Sequence, residues 1–393
     1  MTAVIAGVGE SKVGRRLSMS VDELQVDAVL AALEDAGLDR TAIDAVYTDG
    51  AIAPGIVSAP RLMSLAGLAG VRETGYFSMA GAGVAYAVAH ATRMIESGEL
   101  SAALVYFGVD WGTQPEGPYG FHKQYPSKSE VELAAGFFGQ PTYYAAMAQR
   151  YAAEFGYSPE EMSRALGVIA ISTRGHAAGN PTAQISRTLD REIYAVGKTI
   201  ASPLTINDCC VISDGAGAII VADSALLAGG AAGKVRVAGW GHDEQPISDD
   251  DFFTQNPDYP FFPTATSASA EAFAMAGVGW DDIDVVLVYD CFTISVLLQL
   301  ESSGFWKRGT GVRRLIEDGD LRSDAARRAI PLNTHGGLLS HAYLLGISHV
   351  IEATRQLRGN AGPSQVADAR RAVVSMVPFR AHTTLILEVC DGV

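Results

Sequence analysis

The chain has only four cysteines in 393 residues, Cys209, Cys210, Cys291 and Cys390. Their spacing gives neither a metal-ligand pattern nor a disulfide framework, so neither a structural metal nor an oxidised scaffold is expected. Basic residues are scarce as well. Lys and Arg number 29 against 44 Asp and Glu, leaving a net charge of −15 with no basic block. That balance excludes a protein built to track a phosphate backbone, and no nucleic-acid partner is expected. No apolar run reaches the length of a membrane span. The opening MTAVIAGVGE lacks the basic region of a cleaved signal. The expectation is a cytoplasmic chain with no membrane contact. The GVGESK run lacks the third glycine of a dinucleotide fingerprint and is weak evidence for a nucleotide site.

What the sequence does have is core. Hydrophobic residues make up 48% against 19% charged, and 42 glycines are spread along the chain. This is the profile of a tightly packed α/β protein, long enough for two or three domains. In order, Ala3 to Ala6 reads as a strand and Asp22 to Ala36 as an amphipathic helix closed by Gly37. A strand follows over residues 43–47. Gly75 to Ala82 reads as a turn feeding a helix over Val84 to Ile95, closed by Gly98, and then the strand Ala102 to Tyr106. From Trp111 to about Ile200 the strand pattern gives way. Aromatics are dense here (Tyr119, Phe121, His122, Tyr125 and Phe138 among them), with helical spacing around 143–155 and 159–173. This reads as a helical lid or loop domain inserted in an α/β core, or else as a packed subdomain without a ligand role.

The second part repeats the first. Val235 to Gly241 echoes Ala3 to Gly9, and Ala36-Gly37-Leu38 through Asp44 recurs as Ala276-Gly277-Val278 through Asp284. Gly81 to Gly98 corresponds to Gly336 to Gly359, and Thr383 to Val389 closes the chain as a strand. Such duplication predicts halves at 1–230, with 111–200 inserted, and 231–393, with a site between them.

The chain's organising stretch is PLNTHGGLLSHAYLLGISHVIEATRQLRG, Pro331 to Gly359. Gly336 and Gly337 allow a ligand to approach the main chain closely. Ser340, His341 and Tyr343 are polar groups in a segment otherwise rich in Ala, Leu and Gly. Either the stretch is a wall of a reaction site or its polar groups are incidental to the start of a helix.

Four stretches in order carry a resemblance that covers essentially the whole chain. They are the Gly81 turn and helix, PLTINDCCVISDGAGAIIVAD (203–223), VYDCFTISVLLQLESSGF (288–305) and NTHGGLLSHAYLLG (333–346). Together they resemble the thiolase superfamily, in its sterol-carrier-type thiolase-like branch. The resemblance implies a five-layer αβαβα thiolase fold of duplicated halves, a helical loop domain and a homodimer.

It does not imply thiolase chemistry. The position of the family's nucleophilic cysteine falls on Gly81, and that of its second cysteine on Met376. The histidine of the Gly-His-Pro motif falls on Tyr343. The Asn or His that opens the other catalytic motif falls on Tyr289, in Tyr289-Asp290-Cys291-Phe292. Without a thiolate at the first position no acyl-cysteine can form, and Cys291 reads as a small buried residue. A phenol both donates and accepts a proton, and serves as a base if its pKa of about 10 is lowered. Two tyrosines around a thioester carbonyl and its neighbouring carbon fit carbon–carbon cleavage of a β-hydroxyacyl-CoA. Tyr343 is expected to take the β-hydroxyl proton and Tyr289 to protonate the enolate. Gly81 is expected to leave room for a bulky β-carbon. Asn333 and His341 either orient Tyr343, contact coenzyme A, or make turn-stabilising hydrogen bonds.

The pattern is similar to thiolase-like retro-aldolases that shorten steroid side-chain CoA esters. That subgroup works with a small OB-fold, zinc-ribbon partner as a heterotetramer. Coenzyme A is then part of the substrate, and no tightly bound cofactor is expected. A thiolase or acyl-CoA acyltransferase, and a non-catalytic lipid or acyl-CoA carrier, are the alternatives.

Overall fold

Strand β1 (Ala3–Glu10) feeds two separate cores: Ala3, Ile5 and Val8 face one, Val4 and Ala6 the other. A strand buried on both faces needs helices on both sides. The computed structural model describes residues 1–49, 56–115, 117, 127–137, 139–230, 233–247, 256–319, 321, 331–377 and 380–390, and it supplies those helices. Helix α1 (Val21–Ala36) starts at a Ser20–Glu23 capping box and stops at Gly37, φ +64°. Then follow β2 (Ala45–Thr48), α2 (Ala59–Ala66), β3 (Glu73–Tyr76), α3 (Ala82–Glu96) and β4 (Ala102–Asp110). The inserted segment holds α4 (Gln140–Phe155), α5 (Pro159–Gly179), α6 (Arg191–Ala195) and a two-stranded ribbon, β5 (Thr199–Ala201) with β6 (Leu204–Thr205). The core resumes with β7 (Asp214–Asp223), β8 (Val235–Glu244), α7 (Pro263–Ala276), β9 (Val285–Val288), α8 (Thr293–Ser302) and α9 (Gly311–Asp318). It closes with α10 (Ile347–Leu357), β10 (Arg371–Met376) and β11 (Ala381–Val389).

The nine core strands run in the order β3-β2-β4-β7-β1-β8-β11-β10-β9. In the first half β2 is parallel to β4, which is antiparallel to β7, which is antiparallel to β1. In the second half β9, β10, β11 and β8 repeat that sequence of orientations. The halves meet where Ile5 pairs with Val235. Helices α3 and α10 touch strands of both halves, whereas α1 lies on the first half alone and α7 on the second. Layers therefore alternate α1, half-sheet, α3 with α10, half-sheet, α7. This is the five-layer α/β arrangement of a thiolase fold.

The duplication reaches single atoms. A Cβ on Gly7 or Gly9 would strike the carbonyl oxygens of Ala32 and Ala28 on α1. One on Gly239 or Gly241 would strike those of Ala272 and Ala268 on α7. The GVG run is thus a helix-on-strand contact, repeated in the second half, and not a phosphate loop. Two expectations change. Gly75 lies in the edge strand β3 rather than in a turn, and α3 starts directly after Gly81. Tyr119, Phe121, His122, Tyr125 and Phe138 lie outside the described residues.

Candidate active site

Helices α3 and α10 each begin where two successive residues take positive φ. These are Ala80 (+46°) and Gly81 (+117°) before α3, and Leu345 (+44°) and Gly346 (+79°) before α10. A non-glycine residue held there costs about 1–3 kcal/mol, and such residues cluster at functional sites. The counterpart of Gly81 is therefore Gly346, not Gly336. Gly336 instead lies against α5, where a Cβ would come within 2.6 Å of the Ala177 side chain.

Tyr289 stands between the two helix starts. It follows β9 directly, its N–H donating to Ser375 O at 3.0 Å, and it is 1% exposed. A Cβ on Gly81 would lie 2.6 Å from its ring, and one on Gly346 would lie 3.4 Å from the ring and 2.6 Å from Met376 Sδ. The space left by the missing side chain at Gly81 is filled by the Tyr289 ring. It is not open to a bulky β-carbon, because the aromatic ring already packs into it.

Tyr343 reaches the same point from the segment before α10. The two hydroxyl oxygens are 3.2 Å apart, with Tyr289 donating to Tyr343. The Tyr343 ring rests on Trp111, centroids 5.1 Å apart. Its N–H donates to Ser213 Oγ at 3.0 Å, and Ser213 donates to Gln184 Oε1 at 2.7 Å. Burial pushes both phenols well above the usual tyrosine pKa, with Tyr343 and Cys291 adding to the rise at Tyr289, and Cys210 and Cys291 at Tyr343. Both are protonated at neutral pH. A lowered pKa for either does not follow from these surroundings.

Two buried carboxylates that the sequence reading did not single out hold the frame. Asp49, at the end of β2, accepts from Gly81 N at 2.5 Å, Met79 N at 3.0 Å and Gly83 N at 3.1 Å. It therefore occupies the amides at the start of α3, which are not free to act as oxyanion donors. Burial pushes its pKa up to about 6 against the pull of the Gly81, Met79 and Gly83 amides. Asp290 accepts from Leu338 N at 2.8 Å and Leu339 N at 3.4 Å, and His349 Nε2 lies 3.1 Å away. A Cβ on Gly337 would collide with the Asp290 carboxylate, which is why the glycine stands there.

Asn333 and His341 make long-range hydrogen bonds to the strands β9 and β1 rather than bonds within their own turn. The Asn333 amide pairs with β9, Oδ1 accepting from Val288 N and Nδ2 donating to Val288 O, both at 2.9 Å. His341 Nε2 sits 3.0 Å from Glu10 Oε1, and Arg355 Nη1 is 2.9 Å from Glu10 Oε2. Neither side chain is directed at the Tyr343 hydroxyl.

Burial pushes the Glu10 pKa up, but the charges of His341 and Arg355 outweigh it and hold the carboxyl well below its ordinary 4.5. Glu10→Gln leaves those partners without a counter-charge and should lower stability by about 3 kcal/mol at neutral pH. Because the folded state keeps Glu10 ionised, this contribution is full above pH 4.5 and is lost as pH falls below it. Urea unfolding of variant and wild type should therefore converge in acid. A pH-independent gap would break the assignment.

A duplicated five-layer α/β fold, with two helix starts meeting at one buried point, defines a protein of the thiolase class. Residues 247–389 match the family described as thiolase C-terminal domain-like. An acetyl-CoA acetyltransferase of Methanothermobacter thermautotrophicus is 30% identical over 377 residues, covering 93% of each chain. A steroid side-chain-cleaving aldolase of Thermomonospora curvata is 29% identical over 391 residues, covering 95% of this chain and 94% of its own. The solved Ltp2-ChsH2(DUF35) aldolase superposes with a TM-score of 0.86 at 25% identity, covering 100% of this chain and 99% of that one. The chain belongs to the thiolase superfamily. Among the described residues no helix is long and apolar enough to cross a membrane.

Proposed function

We propose that the chain is a lyase that cleaves the Cα–Cβ bond of a β-hydroxyacyl-CoA, a steroid side-chain ester by analogy with its relatives, into a ketone or aldehyde and a shorter acyl-CoA. The observation that carries this reading is the pair of phenol oxygens 3.2 Å apart at the heads of α3 and α10. Gly81 and Met376 stand where a thiolase would hold its cysteines. The names of the aldolase relatives agree with it.

The raised pKa values favour a relay in which neither tyrosine ever stands as a free tyrosinate. With substrate bound the hydroxyls rotate, so that the bond in which Tyr289 donates to Tyr343 reverses. Tyr343 then accepts the β-hydroxyl proton as its own passes to Tyr289, and the Tyr289 proton goes to the α-carbon. The β-carbon–oxygen bond becomes a carbonyl, and the electrons of the Cα–Cβ bond form the enolate that Tyr289 quenches. Both phenols end as they began, which suits a site that penalises charge.

Incubation with a β-hydroxyacyl-CoA tests the assignment. Fragmentation without release of free CoA is the expected result. Thiolysis would make the chain a transferase, as in the acetyltransferase relative, and an unchanged ligand would make it a carrier. The thiols should be dispensable, since burial pushes Cys291 up to about 12 and Cys210 also upward. Cys291→Ser and Cys390→Ser, singly and together, should leave the chemical step within about tenfold of wild type. An acyl group trapped on any cysteine would overturn the lyase reading.

The assembly proposed is a homodimer carrying one small OB-fold, zinc-ribbon chain per subunit. Its support is that the solved aldolase of like fold is a complex with a DUF35 partner. Native mass measurement of the complex drawn from the source cell should give the heterotetramer. A lone monomer would count against it.

A further inference from the structure

Trp111 follows β4 directly and is buried, with 6% of its surface exposed. Its ring rests against Tyr343, centroids 5.1 Å apart, and stands edge-on to Phe107 at 6.4 Å. Ser213, just before β7, ties the two site residues together. Its carbonyl accepts from Gly112 N at 3.2 Å, and its hydroxyl accepts from Tyr343 N at 3.0 Å. Thr113 is held by Asp214, N–H and hydroxyl donating to the carboxylate at 2.9 and 2.7 Å. The indole is therefore fixed relative to Tyr343 from both sides.

Its own polar atom is nevertheless unused. Among the described residues Trp111 Nε1 has no hydrogen-bond acceptor, whereas Trp280 Nε1 donates to Ser303 O at 3.3 Å. A buried N–H without an acceptor costs about 1–3 kcal/mol. An indole nitrogen only donates, so an acceptor alone can satisfy it.

The reaction proposed above lacks a donor of this kind. As the Cα–Cβ bond breaks, negative charge grows on the thioester oxygen, and a donor already in place stabilises it. The amides at the start of α3 are held by Asp49. The hydroxyls of Tyr343 and Tyr289 are engaged in proton transfer. An indole N–H brings no charge of its own into a site that penalises charge.

We propose that the indole N–H of Trp111 donates a hydrogen bond to the thioester oxygen of the substrate and holds the enolate oxygen as the Cα–Cβ bond breaks. The proton stays on the indole. The electrons on oxygen return to re-form the carbonyl when the α-carbon takes its proton from Tyr289. This assignment rests on the acyl-CoA reading of the substrate, but a hydrogen bond to a bound thioester can be read without turnover.

The test follows indole-¹⁵N-labelled protein by NMR, with any partner chain it retains, during titration with acetyl-CoA and separately with CoA. Trp111→Phe identifies the Trp111 signal among those of the four tryptophans. Acetyl-CoA should move that N–H signal downfield and slow exchange of its proton with solvent. CoA, which lacks the thioester oxygen, should do neither. In turnover Trp111→Phe should lower kcat for fragmentation about 10² to 10³-fold with little change in KM. Phe is smaller than Trp, so a second variant carries benzothienylalanine at position 111, which keeps the bicyclic shape and has no N–H. It should lose kcat to the same degree and unfold no earlier than wild type, since the donor it removes is unpaired in the free protein. A Trp111 signal that acetyl-CoA and CoA move alike would overturn the assignment. So would a signal that bound acetyl-CoA leaves in place, or a benzothienylalanine variant with wild-type kcat. A moved signal in a protein that does not fragment β-hydroxyacyl-CoA would count against the lyase reaction alone. Failure of acetyl-CoA to bind at all would remove the acyl-CoA reading and this assignment with it.

Discussion

Tyr289→Phe and Tyr343→Phe should each slow fragmentation of a β-hydroxyacyl-CoA by about 10² to 10⁴. Each change deletes one oxygen and keeps a ring that is already packed: Tyr289 between the starts of α3 and α10, and Tyr343 on Trp111. Folding should therefore be nearly unaffected, and thermal unfolding is the control. The double variant should be little worse than the slower single one, because groups that pass one proton act as a unit. Their separate roles should show in solvent deuterium. Loss of Tyr289 should slow label incorporation into the released acyl-CoA, whereas loss of Tyr343 should block cleavage itself. Two single variants with near-normal rates would end the assignment.

The pH profile distinguishes a neutral relay from a free tyrosinate base. Burial pushes both phenols well above the ordinary value of 10.0. A tyrosinate mechanism would then gain rate roughly tenfold per pH unit through the whole alkaline range below that pKa. A relay in which both phenols stay neutral predicts a flat limb there.

The strands and helices of both halves were legible because each carries a local signal: the apolar run of β4, the periodicity and Gly37 stop of α1, and their recurrence in the second half. The two tyrosines were legible only through alignment with a family pattern, since an apolar segment bearing one tyrosine reads as packing. What local sequence could not reveal was the set of long-range contacts. Asp49 follows a strand as any turn aspartate would, and its link to Gly81 spans 32 residues. Asp290 reaches 48 residues to Leu338. Gly336 and Gly346 both precede apolar residues, and only the positive φ of Leu345-Gly346, matching Ala80-Gly81, identifies the true counterpart. The strand β3 escaped notice because it is four residues long and carries a glycine. Its equivalent in the second half is a single parallel bridge, Val286 to Leu332, from which Asn333 departs to pin β9.

Gly81→Ala should lower stability by about 2 to 4 kcal/mol. One part is steric, from a methyl that would lie 2.6 Å from the Tyr289 ring, and the other is the φ of +117° forced on a residue with a side chain. Tyr289→Ala should also destabilise, by emptying the space between the two helix starts. Combined, the changes should not add. The double variant should be about 1 to 3 kcal/mol more stable than the sum of the two losses, because removing the ring relieves the steric part and leaves only the backbone part. Chemical unfolding of the four proteins measures this coupling directly, and simple additivity would mean that the ring and the glycine do not share the space. The same collision bears on the chemistry. A cysteine at position 81 would need the volume that Tyr289 fills, so Gly81→Cys should be destabilised to a similar degree and should form no acyl-enzyme with an acyl-CoA. On the lyase reading proposed above, a nucleophilic thiol at position 81 and the Tyr289 ring are alternatives for one volume, since even a Cβ there would lie 2.6 Å from the ring.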